Sequence, residues 1–281
     1  MRHPPNNPTE STTLLGPPSS RTLNPSPKLN ILIHTLSHLQ NPINPSHTSL
    51  LLLLSYTLTG LLDSAAISLW GSFASMQTGN TVYLGLGSIG ADPSSETRWV
   101  KAATSIGSFC LGCFCFSVFY RVVGLSRRRW VLAVAFALQG GLVALAAGVV
   151  MGHSGSTSSK NEIGWYTLLP LSLVAFQSSG QAVSSRVLER KSLTSVVLTS
   201  VYCDLLSLPI PAGGSGKGGI EDLKRLGAIV CLLLGVVLGG LWAKSEIGPV
   251  GALWTVVAGK GVIVLAWLFW RGDGEEENGL V

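Results

Sequence analysis

Three ionisable residues stand inside apolar stretches of the chain, where a charge is costly and marks function by default. Asp63 lies between Leu61-Leu62 and Ala65-Ala66, Lys260 within Gly259-Lys260-Gly261, and Asp204 within Leu193–Pro211. An ion pair between Asp63 and Lys260 is one arrangement that would neutralise both. Asp63 is open to two readings, a group that binds a proton or cation and a structural charge. Lys260 reads more readily as structural, or as a long stem whose ammonium snorkels. A second feature is Met76-Gln-Thr-Gly-Asn-Thr-Val82. A Gly-Asn step can break a helix, and Thr78, Asn80 and Thr81 supply hydroxyl and amide groups. Non-helical backbone at membrane depth persists only where protein or water satisfies it, so a break here would aim helix ends and side chains at one point. The plain alternative is an N-cap and a turn. The downstream counterpart is Leu198-Thr-Ser-Val-Tyr202, with Gln177 and Gln181 ahead of it. The candidate substrate- or ion-binding set is therefore Asp63, Thr78, Gly79, Asn80, Thr81, Gln181, Thr199 and Ser200. Lys260 and Asp204 are the candidate charge partners.

These residues must be held by membrane helices. The apolar segments Thr48–Trp70, Ala102–Tyr120, Trp130–Met151, Trp165–Ser185, Leu226–Ala243 and Val250–Trp270 are each close to the roughly 20 residues needed to span. Thr78–Gly90 is shorter, and Leu193–Pro211 carries Asp204 inside it. Trp70, Trp99, Tyr120, Trp130, Trp165, Trp242 and Trp270 sit near segment ends, where aromatic rings favour the membrane interface. Residues 1–47 are rich in Pro, Asn, Ser and Thr and read as a disordered tail. The acidic tail, 271–281, reads as loose.

The eight segments divide into two sets of four. Gly60 and Asp63 precede Thr78-Gly79 much as Gly180 and Ser184 precede Thr199-Ser200. Lys101 and Lys224 each open a Gly-rich apolar run. The shared offset of about 120 residues is that of a duplicated, transporter-like half, giving repeats at 48–151 and 152–270. If the two short segments dip in and return, six spans remain and both termini lie on the cytoplasmic side. Only Arg98, Lys101, Lys160 and Lys244 then fall outside, with Lys260 in a span. Eight full spans would split the basic residues almost evenly. The positive-inside rule therefore prefers six spans, and three spans per half gives the halves inverted topology.

Composition excludes several classes. The chain is 47% hydrophobic and 12% charged, with a mean hydropathy of +0.44. A soluble domain carries about 25% charged residues. The net charge of +5 lies in clusters between apolar runs, the pattern of membrane loops rather than of a nucleic-acid surface. All five histidines, His3, His34, His38, His47 and His153, lie in the tail or a loop, so no buried metal site is expected. The five cysteines lie in apolar runs and read as small hydrophobes. Gly213-Gly-Ser-Gly-Lys-Gly-Gly219 lacks the ending of a phosphate loop and reads as a flexible linker. No hydrolase or metalloprotease signature is present. The chain is expected to be no enzyme and to need no cofactor.

Gly60-Leu-Leu-Asp-Ser-Ala65 followed by Met76-Gln-Thr-Gly-Asn-Thr-Val82 resembles the first-half signature of the YoaK-like family, integral membrane proteins of unknown function. Ala175-Phe-Gln-Ser-Ser-Gly-Gln181 and Ser195-Val-Val-Leu-Thr-Ser-Val-Tyr-Cys-Asp-Leu205 resemble the same family, especially its fungal members. The resemblance covers about residues 48–270 and is most specific at Thr-Gly-Asn-Thr. Ala182 stands where an Asn is common in that family, and Ser200 where a Gly is, which puts exact symmetry of the two sites in doubt. The expectation is an all-α polytopic membrane protein with about six spans, two short re-entrant or broken helices and an internal two-fold repeat. Its partners would be the lipid bilayer and a small solute carried as by a secondary transporter. The alternative is a structural or regulatory membrane protein that moves nothing.

Overall fold

The computed structural model describes residues 48–91, 97–124, 128–153, 163–188, 198–206 and 218–269. Among these are eight α-helices and no strand: α1 (Thr48–Trp70), α2 (Gln77–Ser88), α3 (Arg98–Val123), α4 (Arg129–His153), α5 (Trp165–Val187), α6 (Leu198–Leu206), α7 (Gly218–Lys244) and α8 (Pro249–Phe269). The tails at 1–47 and 271–281 and the linker around Gly213 lie outside the described residues.

Five helices, α1, α3, α4, α7 and α8, are long and apolar enough to cross a membrane. The fold is that of an all-α, multi-pass membrane protein. The segment expected as a sixth span, Trp165–Ser185, does form the 23-residue helix α5. It falls short in hydropathy because Gln177, Ser178, Ser179, Gln181, Ser184 and Ser185 crowd its second half. All six are buried, so α5 turns its polar groups into the bundle. The two short helices are, over their described residues, shorter than a span, and residues 193–197 and 207–211 of the second short segment lie outside the described residues. Helix α2 has 12 residues and α6 has 9. Twelve residues rise about 18 Å, against a hydrocarbon core of roughly 30 Å.

Helix α1 stops at Gly71, whose φ of 71° few other residues adopt. The Gly71 N–H returns to the Ile67 carbonyl at 3.1 Å, closing the last turn with a left-handed cap. The chain then runs through an irregular stretch before α2.

Packing joins elements far apart in the chain. Helix α1 lies chiefly on α7, α3 on α5, and α4 on α8, while α2 lies on α3 and α6 on α7. The close crossings are made at glycines. A Cβ on Gly235 would stand 2.0 Å from the Thr57 carbonyl oxygen, and one on Gly60 would stand 2.2 Å from that of Leu232. At the α3–α5 crossing, a Cβ on Gly112 would meet Ser179 Oγ at 2.2 Å, and one on Gly180 would meet the Phe116 ring at 2.5 Å. Water does not drive helices together inside a bilayer, so such backbone approach supplies much of the cohesion. The core between the crossings holds Leu58, Leu61, Leu62, Phe136, Val256 and Trp267. Leu111, Phe114 and Val118 on α3, and Leu233, Val237 and Leu241 on α7, face outward. Apolar faces of that extent suit contact with lipid.

Candidate functional site

Two buried polar clusters occupy the bundle. The first organises the irregular stretch between α1 and α2. Asp63 Oδ1 accepts the Ala74 N–H at 2.9 Å and the Ser75 N–H at 2.8 Å, and Oδ2 accepts the Ser75 hydroxyl. Asn80 holds the other side. Its Oδ1 accepts the Ser72 hydroxyl at 2.9 Å and the Phe73 N–H at 3.0 Å, and its Nδ2 donates to the Phe73 carbonyl at 2.8 Å. Gln77 Nε2 donates to the Ala74 carbonyl at 2.9 Å, and the Ser105 hydroxyl donates to the Phe73 carbonyl at 2.7 Å. Backbone that leaves a helix inside a membrane must find partners in the protein, and these four side chains supply them. Gly79 is required beside them, since a Cβ there would press on the Phe73 ring at 2.7 Å. Met76-Gln-Thr-Gly-Asn-Thr is thus legible residue by residue: Gln77 and Asn80 hold the loop, and Gly79 makes room for Phe73.

The second cluster lies where α1, α4, α5 and α8 converge. Lys260 on α8 is fully buried. Its Nζ donates to Gln139 Oε1 on α4 at 2.7 Å and to Gln181 Oε1 on α5 at 2.6 Å. It also lies 5.0 Å from the centroid of the Phe136 ring. Two amide oxygens and an aromatic face form a setting for an ammonium. Among the described residues no carboxylate pairs with it. Gln181 continues the chain of contacts to α1, where its Nε2 donates to the Ser55 carbonyl at 3.0 Å and to Thr59 Oγ1 at 2.7 Å. The Nε2 of Gln139 is buried and has no partner among the described residues. A recess of about 440 Å³ opens between α4 and α8, lined by apolar groups and by Lys260.

The expected site residues therefore separate. Asp63 and Lys260 do not pair, because the carboxylate is taken by the 74–75 backbone and the ammonium by two glutamines. Asp63, Gly79 and Asn80 belong to the loop cluster and Gln181 to the lysine cluster. Thr78 and Thr81 are exposed, and the Thr81 hydroxyl turns back to the Gln77 carbonyl at 2.9 Å. Thr199, Ser200 and Asp204 are exposed on α6. Among the described residues, the two short helices pack chiefly on different long helices, the Thr-Gly-Asn-Thr step on α3 and the Thr-Ser step on α7. Ser184, the expected counterpart of Asp63, is bonded to the Tyr120 hydroxyl at 2.8 Å. Sequence reasoning passed over Gln139, Ser55, Thr59 and Ser105. Gln139 did carry a signal: it is a polar residue in a run of apolar ones, 121 positions before Lys260.

A family model described as "Protein of unknown function (DUF1275)" matches residues 51–266. No curated protein and no solved structure matches the chain. The YoaK-like resemblance agrees with this result, since YoaK-like proteins are members of the matched family.

Proposed function

The chain belongs to the DUF1275 family of proteins of unknown function, and from that premise we propose that it is a non-enzymatic permease for a small solute. The solute's central contact is Lys260, with Gln139 and Gln181. The reading is carried by one observation: a fully buried lysine, held by two neutral amides, where four long helices meet. Intramembrane ionisable groups of this kind mark transport pathways more often than they mark static packing. In this reading α5 crosses the membrane as a sixth span and α2 and α6 do not cross. Both termini then lie on the cytoplasmic side, and the family kinship is to fungal-type members. The halves 48–151 and 152–270 are two repeats of inverted topology. The packing supports this, because exchanging the halves turns α1 on α7 into α5 on α3, and leaves α4 on α8 unchanged.

Relative to the sequence expectation, the site moves from the broken segments to the lysine cluster. Asp63 and Asn80 become supports of the loop that ends α1. A second reading, a membrane scaffold that moves nothing, draws on the glycine crossings, where backbones touch and leave no room for a solute. Flux decides between them. The full chain would be reconstituted in liposomes and screened for uptake of small labelled solutes, anions and neutral compounds alike. The permease reading expects uptake that Lys260→Met and Gln181→Leu each reduce at least about tenfold, the effect of losing a hydrogen bond to a charged group. Uptake indifferent to both substitutions would sink the site. No uptake of any solute above empty liposomes would favour the scaffold.

A further inference from the structure

We infer that the lysine cluster takes an amphiphilic monoanion, with its carboxylate on Lys260 and Gln139 and its apolar body in the recess between α4 and α8. This rests on the permease reading and names the class of its solute.

Three observations carry it. An ammonium has three N–H groups. Lys260 gives two of them to Gln139 and Gln181, and no acceptor among the described residues takes the third. The Nε2 of Gln139 is a second buried donor without a partner among the described residues. It belongs to the same amide whose oxygen holds Lys260, so the two open donors are neighbours. Buried donors are normally satisfied, and each exception calls for an explanation. A carboxylate answers both at once, since one oxygen accepts from Nζ and the other from Nε2. It also provides the counter-charge that no described residue supplies there. A neutral acceptor would satisfy one donor and leave the charge unbalanced.

The recess specifies the rest of the ligand. Its volume of about 440 Å³ lies within the roughly 300–1,000 Å³ of small-molecule sites. Its walls are Phe136, Gly140 and Gly141 on α4 and Val257, Gly261 and Val264 on α8, with Lys260 the one charged residue lining it. Gly141 and Gly261 have open space where a Cβ would stand, so they leave the groove wide. A bare inorganic anion would leave those walls uncovered. A neutral lipid chain would cover them and leave the two donors open. A short-chain fatty carboxylate meets both demands.

The test uses the full chain in nanodiscs of neutral phosphatidylcholine with labelled octanoate at neutral pH, corrected for empty nanodiscs. Saturable octanoate binding is expected that excess octan-1-ol and excess formate do not displace. Lys260→Met should weaken it at least about tenfold, by loss of a charge-assisted hydrogen bond. Gly261→Leu should do the same by filling the groove. Displacement by octan-1-ol as effective as by octanoate overturns the proposal, because the charge would then be irrelevant. Displacement by formate as effective overturns it too, because the apolar body would then be irrelevant. Binding no greater than to empty nanodiscs also overturns it. If Lys260→Met does not assemble, Gly261→Leu with a wild-type thermal midpoint and unchanged octanoate affinity is the overturning result. Saturable binding without flux in liposomes would remove the permease and leave the site standing. Flux of a solute that octanoate does not inhibit would remove the site and leave the permease.

Discussion

Lys260 Nζ and Gln139 Oε1 lie 2.7 Å apart across α8 and α4, although 121 positions separate the two residues in the chain. That interval matches the offset between Gly60 and Gly180 to within one residue, and those two glycines sit at the two close helix crossings. If the proposed repeat holds, corresponding positions of its two halves meet here, one as a cation and one as an amide. The contact is asymmetric where the packing around it is nearly symmetric.

This asymmetry makes Gln139→Glu informative. The substitution places a carboxylate where the amide oxygen now accepts from Lys260, at nearly the same volume. The cluster would then contain its own counter-ion. Octanoate affinity is expected to fall at least about tenfold, with no loss of thermal midpoint. A wild-type affinity in a folded Gln139→Glu protein would show that the positive charge of Lys260 does not attract the ligand.

Asp63→Asn separates the two roles once open for that carboxylate. Its oxygens accept two backbone N–H groups and one hydroxyl. An asparagine keeps the oxygen for the backbone pair and turns its amide to Ser75 Oγ, which can accept. Transport is therefore expected to survive Asp63→Asn within about threefold, and Asp63→Leu is expected to destabilise by about 2–3 kcal/mol or more, since several buried donors lose their acceptor. Loss of flux in a well-folded Asp63→Asn protein would restore Asp63 as a proton- or cation-coupling group.

Asn80 is the more exacting anchor. It is fully buried and bonds both polar groups of Phe73. Asn80→Ala leaves the Phe73 N–H and the Ser72 hydroxyl without their acceptor, at about 1–3 kcal/mol for each unmet buried group, while the Phe73 carbonyl keeps the Ser105 hydroxyl. Amide hydrogen exchange of residues 72–76 should speed up markedly, while exchange at the α4–α8 contact stays slow. Equal acceleration at both places would mean that Asn80 supports the whole bundle and not the loop.

The glycines at the crossings should not tolerate a side chain. Gly235→Ala must push α7 off α1, because the new methyl group would overlap the Thr57 carbonyl. A loss of about 1–3 kcal/mol is expected from such overpacking. Gly240→Ala, five residues along the same helix, meets nothing within 4 Å and should be neutral or slightly stabilising. Comparable thermal midpoints for the two variants would show that the α1–α7 contact is looser than drawn.

The fold was largely legible in the sequence, because hydropathy reports directly on residence in lipid. Trp165–Ser185 was the exception by composition. Its glutamines and serines are tolerated because neighbouring helices cover them, and coverage is invisible to a single-chain profile. The site was less legible. Asp63 and Asn80 were expected to bind a substrate or ion, and their partners in the structure are groups of the 72–75 stretch, which no side-chain pattern announces. Thr78, Thr199 and Ser200 were grouped with them by symmetry of spacing, and the structure puts those three at exposed positions. Lys260 and Gln181 lay on separate segments with nothing local to link them. Only the long offset joining Gln139 to Lys260 held that information, and an uncharged glutamine does not draw notice as a charge would.

The pairing of α1 with α7 and of α3 with α5 has a consequence for how the protein comes into being. A membrane chain is inserted in order of synthesis, starting from its N-terminal helices. Among the described helices α1 is therefore made first, yet its main partner, α7, is made last but one. Until then its Gly60 groove is open, and the contacts of Ser55 and Thr59 with Gln181 wait for α5. The first four helices cannot settle as a finished unit and must be kept from wrong neighbours while the rest is translated. The quality-control machinery of the membrane, and not only the folding free energy, thus has a stake in the distance between Gly60 and Gly235.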